Sequence, residues 1–251
     1  MSDRGLGVGG VISEMQIFFA EMIGSMFLVT MGFSSHAANL LNKSWGRDGG
    51  WLMMGLNWGI GLAVGLIAAI SLGSQGHVNP MITLAFIAAG IFPASEAPLY
   101  FAAQLTGGIL SGVLIWLLYL PLWPATDDKN AKLACFAMAP AIREPSANFL
   151  AEALSFFIFV VGIFLIVKAV FPLGVVPGSL VTGIWLTAAI CGTGGQTGAG
   201  YGIDLGPRIA HQLLPVAGKG YSDWSYAWVP VLGPAIGGIA AAFACRALGL
   251  V

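Results

Sequence analysis

Residues 74–90 read SQGHVNPMITLAFIAAG, and residues 191–214 read CGTGGQTGAGYGIDLGPRIAHQLL. Each opens on a glycine-rich run and continues into a short apolar stretch, Asn79 to Gly90 and Ile203 to Leu214. About 12 residues make roughly 18 Å of helix at 1.5 Å per residue. The hydrocarbon core of a bilayer is roughly 30 Å thick, so neither stretch crosses it. Non-helical backbone at that depth survives only where protein or a water-filled cavity satisfies it. Two half-helices behind glycine-rich loops therefore imply a lined pathway.

Composition makes the bilayer the solvent. Of the 251 residues, 57% are hydrophobic and 8% are charged, against roughly 25% charged in a soluble domain. That excludes a soluble enzyme and a disordered chain. The net charge is −1, so no basic footprint suggests a nucleic-acid partner. Three cysteines, Cys135, Cys191 and Cys245, form no C-x-x-C pair and read as small hydrophobic residues. No Ser/His/Asp arrangement or metal-ligand cluster points to catalysis, and no metal or cofactor is expected.

Six longer apolar stretches surround the two short ones, at about residues 13–33, 51–72, 97–122, 147–171, 179–192 and 226–248. Residues 1–11, MSDRGLGVGGV, lack the compact charged and apolar regions of a cleavable signal, so Ser13 onward is expected to be a retained membrane helix. The order full, full, half, full occurs twice. This predicts an all-α membrane protein with one transmembrane channel domain over 1–251. Its repeats are 13–122 and 147–250, joined by a polar connection at 123–146. Glu21 in FFAEMIG and Glu152 in FLAEALS hold matching places in the first helix of each repeat. Three spans is an odd number, so the repeats are inverted in the membrane. The half-helices then enter from opposite faces and meet at their N-termini, each carrying about half a positive charge and unpaired N–H donors. Such a midplane repels cations and offers hydrogen bonds to neutral solutes. The spacings Gly61/Gly65, Gly108/Gly112 and Gly233/Gly237 suit close helix packing.

GHVNP at 76–80 ahead of TLAF, DLGPR at 204–208, AQLTGG at 103–108 and GKGYSDWSYAWVPVLGPAIGG at 218–238 together resemble the major intrinsic proteins, the aquaporins and glycerol facilitators. The last stretch resembles the glycerol-facilitator branch most. The resemblance implies six transmembrane helices plus two re-entrant half-helices, a homotetramer with one pore per subunit, passive transport without cofactor, and cytoplasmic termini in the cell membrane. It implies that Asn79 and Pro80 belong to the first signature loop, with Met81 where Ala is usual. By the same resemblance Trp58 is a constriction aromatic, His77 faces the cytoplasmic pathway, and Glu21 and Glu152 brace the two loops.

The second loop departs from the family. Aligned backward from Asp204, Gly200-Tyr201-Gly202 replaces Asn-Pro-Ala and Ile203 replaces the constriction Arg. Aligned forward from Thr197-Gly198, two residues are missing. Both alignments remove the second Asn and the Arg, and with them a fixed cation and its directional donors. Ala188 and either Thr197 or Ala199 are expected near the same level, leaving a wider, less polar pore unless Tyr201 folds its ring into the vacancy. Arg208 lies inside the half-helix and is not expected to replace the missing Arg. The Gly-Tyr-Gly likeness to a potassium filter is set aside, because here the half-helix follows the triplet and the opposing loop is unlike it. The expectation is a facilitator of small uncharged, polyol-like solutes, with water a co-permeant. A channel for weak organic acids or ions, or a structural homologue, is the alternative. Charge counting opposes cytoplasmic termini: Lys43, Arg47, Lys129, Lys132, Arg143, Arg208 and Lys219 then lie outside, against Arg4, Lys168 and Arg246 inside.

Overall fold

A computed structural model describes residues 13–251. The leader reading of residues 1–11 lies outside the described residues. Among these residues the regular structure is helical, and six helices are long and apolar enough to cross a membrane. In chain order the helices are α1 Glu14–Leu40, α2 Gly50–Ser71, α3 Pro80–Ala89, α4 Ala97–Leu118, α5 Lys129–Ala134, α6 Pro145–Ala169, α7 Val175–Thr193, α8 Leu205–Leu213 and α9 Val229–Ala247. The two half-helices, α3 and α8, fall inside their expected stretches.

Three elements exceed the sequence reading, and one of them, α7, simply begins earlier, at Val175. Helix α1 continues past Phe33 because its polar extension is satisfied locally: Ser35 Oγ donates to the Gly32 carbonyl, and Asn39 Oδ1 accepts from the Gly50 N–H. The polar connection holds a short helix, α5, capped by Asp128 accepting from the Asn130 and Ala131 N–H groups.

Packing is reciprocal between the repeats. In the first, α1 lies on α2 and α4; in the second, α6 lies on α7 and α9. Each half-helix packs against the last helix of the other repeat, α3 on α9 and α8 on α4, while α2 and α7 meet each other. Small residues set these distances. A Cβ at Gly65 would lie 2.5 Å from the Gly24 carbonyl oxygen, and one at Gly183 would fall on the Gly59 carbonyl oxygen. The backbones of α1 and α2, and of α2 and α7, are therefore in direct contact.

Six crossings return the chain to the face on which it started. On that face Gln16 Nε2 donates to the Leu72 carbonyl, and Lys168 Nζ donates to the Gly249 carbonyl. On the opposite face Asn42 Nδ2 donates to the Ala125 carbonyl and Lys132 Nζ to the Ala217 carbonyl.

Candidate functional site

The two loops ahead of α3 and α8 form the middle of the molecule, and each is held by one buried carboxylate. Glu21 on α1 accepts from the His77 N–H at 3.0 Å, from the Val78 N–H at 2.7 Å, from Gln104 Nε2 at 2.8 Å and from the Ser74 hydroxyl. Glu152 on α6 accepts from the Gly200 N–H at 3.0 Å and the Tyr201 N–H at 3.4 Å. An intramembrane carboxylate is costly unless its lone pairs are occupied, and amide donors of a loop satisfy that need.

These bonds set the internal register. Glu21 grips the two residues before Asn79, and Glu152 grips the two before Gly202, so Gly202 stands in the second loop where Asn79 stands in the first. With no opposing amide there, Asn79 reaches across. Its Oδ1 caps α3 by accepting from the Met81 N–H at 2.7 Å, and its Nδ2 donates to the Tyr201 carbonyl at 3.1 Å. Met81 fills space over the opposing glycine: a Cβ at Gly202 would lie 2.5 Å from Met81 Cγ, and Gly202 has φ +74°. Met81 and Gly202 are thus one steric exchange: the side chain of the first uses the room that a Cβ at the second would need.

Tyr201 turns its ring away from the loop toward α6. It stacks on Phe159 at 5.3 Å, packs on Phe156 at 5.0 Å, and shares a 2.8 Å hydrogen bond with the Ser155 hydroxyl. Ala199 and Tyr201 both adopt positive φ, at +54° and +49°, a region that costs an L-residue roughly 1–2 kcal/mol.

A cavity of about 410 Å³ reaches from the face that carries Ile91 and Phe171 to this midpoint. Its walls are the inward rows Trp58, Leu62, Leu66 and Ile70 of α2 and Phe159, Ile163 and Val167 of α6, completed by Thr182, Leu186 and Ile190 of α7. Along one side runs the first loop, Ser74 to His77 and Asn79; at the deep end are Ala199, Tyr201 and Ile203. The result is a mainly apolar passage with one polar strip. Behind Ile203 lies a second cavity of about 160 Å³, which Pro80, Met81 and Gly202 line instead.

Several sequence-expected positions sit elsewhere. Ala188 is a correction: it lies in an outward groove with Ile158, Leu165 and Ile184. Thr182, Leu186 and Ile190 face inward at four-residue steps, and a residue two positions from Ile190 points about 200° away at 3.6 residues per turn. Gly200 and Thr197 line neither cavity; both are buried beneath the loop. His77 lines the passage, but its ring is packed among Phe86, Phe92 and Tyr100, with Nδ1 against the Thr83 hydroxyl.

Arg208 does not enter the passage. Fully buried, it pairs with Asp204 at 2.6 Å and donates to the carbonyls of Ser222, Asp223 and Met138. It fastens the connection between α5 and α6 over the second loop, where Met138 covers Gly198 and Gly200. Sequence reading missed Met138, since one Met in a polar connection carries no periodic signal. Other cations on this face are spent alike. Lys219 Nζ donates to the carbonyls of His211, Gln212 and Leu214 at the end of α8, and burial there lowers its pKa. Arg143 pairs with Asp223, whose hydrogen bond raises the Arg143 pKa.

Known proteins fit this geometry. A family description, "Major intrinsic protein", matches residues 11–245. The chain is 43% identical to the "Glycerol uptake facilitator protein" of Bacillus subtilis (strain 168) over 89% of this chain and 81% of that one. It is 41% identical to "Glycerol uptake facilitator protein 3" of Lactiplantibacillus plantarum, covering 87% of this chain and 90% of that one. Among solved structures, the aquaglyceroporin from Plasmodium falciparum superposes with a TM-score of 0.80 at 22% identity, covering 95% of this chain and 100% of that one, a likeness of fold. Reciprocal half-helices, carboxylate-held loops and a sequence match across nearly the whole length converge on one assignment: this chain belongs to the major intrinsic protein family.

Proposed function

We propose that the protein is a passive channel for small uncharged solutes of polyol type, glycerol among them, with water as a co-permeant. The observation that carries this reading is the cavity of about 410 Å³ that runs one polar strip, Ser74 to Asn79, past apolar walls on α2, α6 and α7. A polyol has a hydroxyl edge and a hydrocarbon edge, and such a passage meets both. The relatives named as glycerol uptake facilitators support the same solute class. Cations are opposed by the N-terminal ends of α3 and α8, whose partial positive charge faces the midpoint.

In this reading Trp58, His77, Asn79, Ala199, Tyr201 and Ile203 contact or bound the solute. Pro80, Met81 and Gly202 shape the midpoint from behind, and Glu21 and Glu152 brace it. With Ile203 at the deep end, the Tyr201 ring turned to α6 and Arg208 committed elsewhere, no guanidinium meets the solute there, which leaves the deep end short of donors. The functional form is a homotetramer in the cell membrane with both termini cytoplasmic, so the cavity opens to the cytoplasm. Arg208, Lys219 and Lys132, although on the outer face, are committed to backbone carbonyls of the folded loops.

Purified protein in liposomes tests the reading. Glycerol flux well above empty vesicles, without ionic current, is the expected result. Current above leak in planar bilayers, or no solute flux at all, would overturn it.

A further inference from the structure

The indole of Trp58 has its only polar atom occupied by a residue outside the signature loops. Trp58 is 2% exposed and His36, on α1, 5%. The Trp58 Nε1–H donates to His36 Nε2 at 3.1 Å. An indole nitrogen only donates, so His36 Nε2 is the unprotonated nitrogen and Nδ1 carries the proton. His36 sits on α1, which also packs against α5 of the connecting segment. The indole is clamped on its other sides too. Phe33 meets it edge-on at 5.1 Å, and Gly32 leaves the room it occupies, since a Cβ there would overlap the ring.

Counting donors at the deep end shows what this clamp does. The Trp58 N–H goes to His36, the Tyr201 hydroxyl is shared with Ser155, and one Asn79 N–H goes to the Tyr201 carbonyl. Around them the wall is carbon: Leu62, Ile190, Ala199 and Ile203. A solute hydroxyl entering here loses water and meets few replacements, whereas a hydrocarbon face loses nothing by the exchange.

We propose that His36 is a specificity-determining positioning residue: by accepting the Trp58 N–H it fixes the indole and withholds a donor from the passage, so the deep end favours solutes with a larger apolar face over equally small, more polar ones. The inference rests on the channel reading above and deepens it. Propane-1,2-diol should therefore pass faster than glycerol, and glycerol faster than urea.

The test is stopped-flow flux of these three solutes through liposomes holding wild type, His36→Leu, His36→Asn or His36→Gln, with the Trp58 indole ¹H–¹⁵N resonance followed in parallel. Gln keeps an acceptor at similar reach; Asn is one methylene shorter; Leu has none. In His36→Leu and His36→Asn the diol-to-urea ratio should fall at least threefold and the indole resonance move upfield. In His36→Gln both should stay near wild type, the ratio within twofold. A merely structural role would lower all three fluxes together and leave their ratio unchanged; that outcome overturns the proposal, as does an indole resonance indifferent to all three substitutions. If His36→Leu does not assemble, the Asn and Gln pair decides. Wild type passing none of the solutes would instead sink the channel reading, and this inference with it.

Discussion

The two loops that meet at the centre begin from the same device and end differently. In the first, Glu21 accepts from two backbone amides, the Ser74 hydroxyl and Gln104, and the loop closes on an asparagine that caps its half-helix. In the second, Glu152 accepts from two amides, and α8 starts without a side-chain cap. The second loop recovers its stability from outside: Asp204 and Arg208 tie α8 to Met138 and to Ser222–Asp223, and the Asn79 amide bonds the Tyr201 carbonyl. Both loops lean on neighbouring helices, but the first caps its half-helix with its own asparagine, whereas the second relies on outside partners to hold its half-helix. Loss of its asparagine is therefore a transfer of bonding to other elements.

Removing each brace breaks this comparison most severely. Glu21→Ala strands two loop amides, a serine hydroxyl and the Gln104 amide; Glu152→Ala strands two amides whose loop remains pinned by Arg208. Hydrogen bonds to charged groups contribute about 1.5–3 kcal/mol each. Both variants should lose most folded protein, Glu21→Ala the more, as read by size-exclusion yield and thermal unfolding in detergent. The milder Glu152→Gln should lower assembly more than it alters solute preference. Normal assembly with changed preference would show that Glu152 acts on solute and that the bracing account is wrong. Arg208→Met should rank between the alanine variants and the remaining predictions, since it leaves three carbonyls and Asp204 without their buried partner.

The next largest effect lies where the loops touch. Gly202→Ala adds a Cβ 2.5 Å from Met81 Cγ at a residue with φ +74°. Overpacking and left-handed strain together should cost about 2–4 kcal/mol. Met81→Ala in the same chain should return the steric part and leave the backbone part, about 1–2 kcal/mol. A double-mutant cycle in thermal unfolding reads this directly. Additive effects would mean that Met81 and Gly202 are not an exchange.

The comparison also separates what the sequence displays from what it hides. Helices α3 and α8 are legible because about 12 apolar residues cannot span a bilayer, and because Asn79-Pro80 is an N-cap followed by a residue suited to N1. Glu21 and Glu152 are legible because a carboxylate in an apolar helix needs donors, and a glycine-rich loop supplies them. The register of the second loop is not, since its two alignments differ by residues whose bonding depends on distant partners such as Met138. Nor is the inward row of α2. Trp58, Leu62, Leu66 and Ile70 line the cavity while Leu52, Leu56, Ile60 and Val64 face outward, and both rows are apolar. In a bilayer the outside is as apolar as the wall, so periodicity cannot tell the two faces apart. Ala188 is hard to place from sequence for the same reason: a small apolar residue on α7 fits either side.

The smallest effect sharpens the comparison at the level of the backbone. Each loop carries non-glycine residues at positive φ, Val78 at +47° in the first and Ala199 at +54° in the second. Glycine at either position removes about 1–2 kcal/mol of left-handed strain but loses roughly 0.5–1 kcal/mol to the greater freedom of the unfolded chain. The remaining balance depends on the side chain removed. Ala199 gives up one buried methyl, about 0.8 kcal/mol, so Ala199→Gly should leave stability within about 1 kcal/mol of wild type. Val78 is buried against Gly24, and its removal should cost about 2–3 kcal/mol in packing, making Val78→Gly net destabilising by about 1–2 kcal/mol. Thermal unfolding of the two variants side by side checks both signs. If Ala199→Gly were the more damaging, the strained backbone of the second loop would be held by that methyl, and its dependence on Arg208 and Asn79 would be secondary.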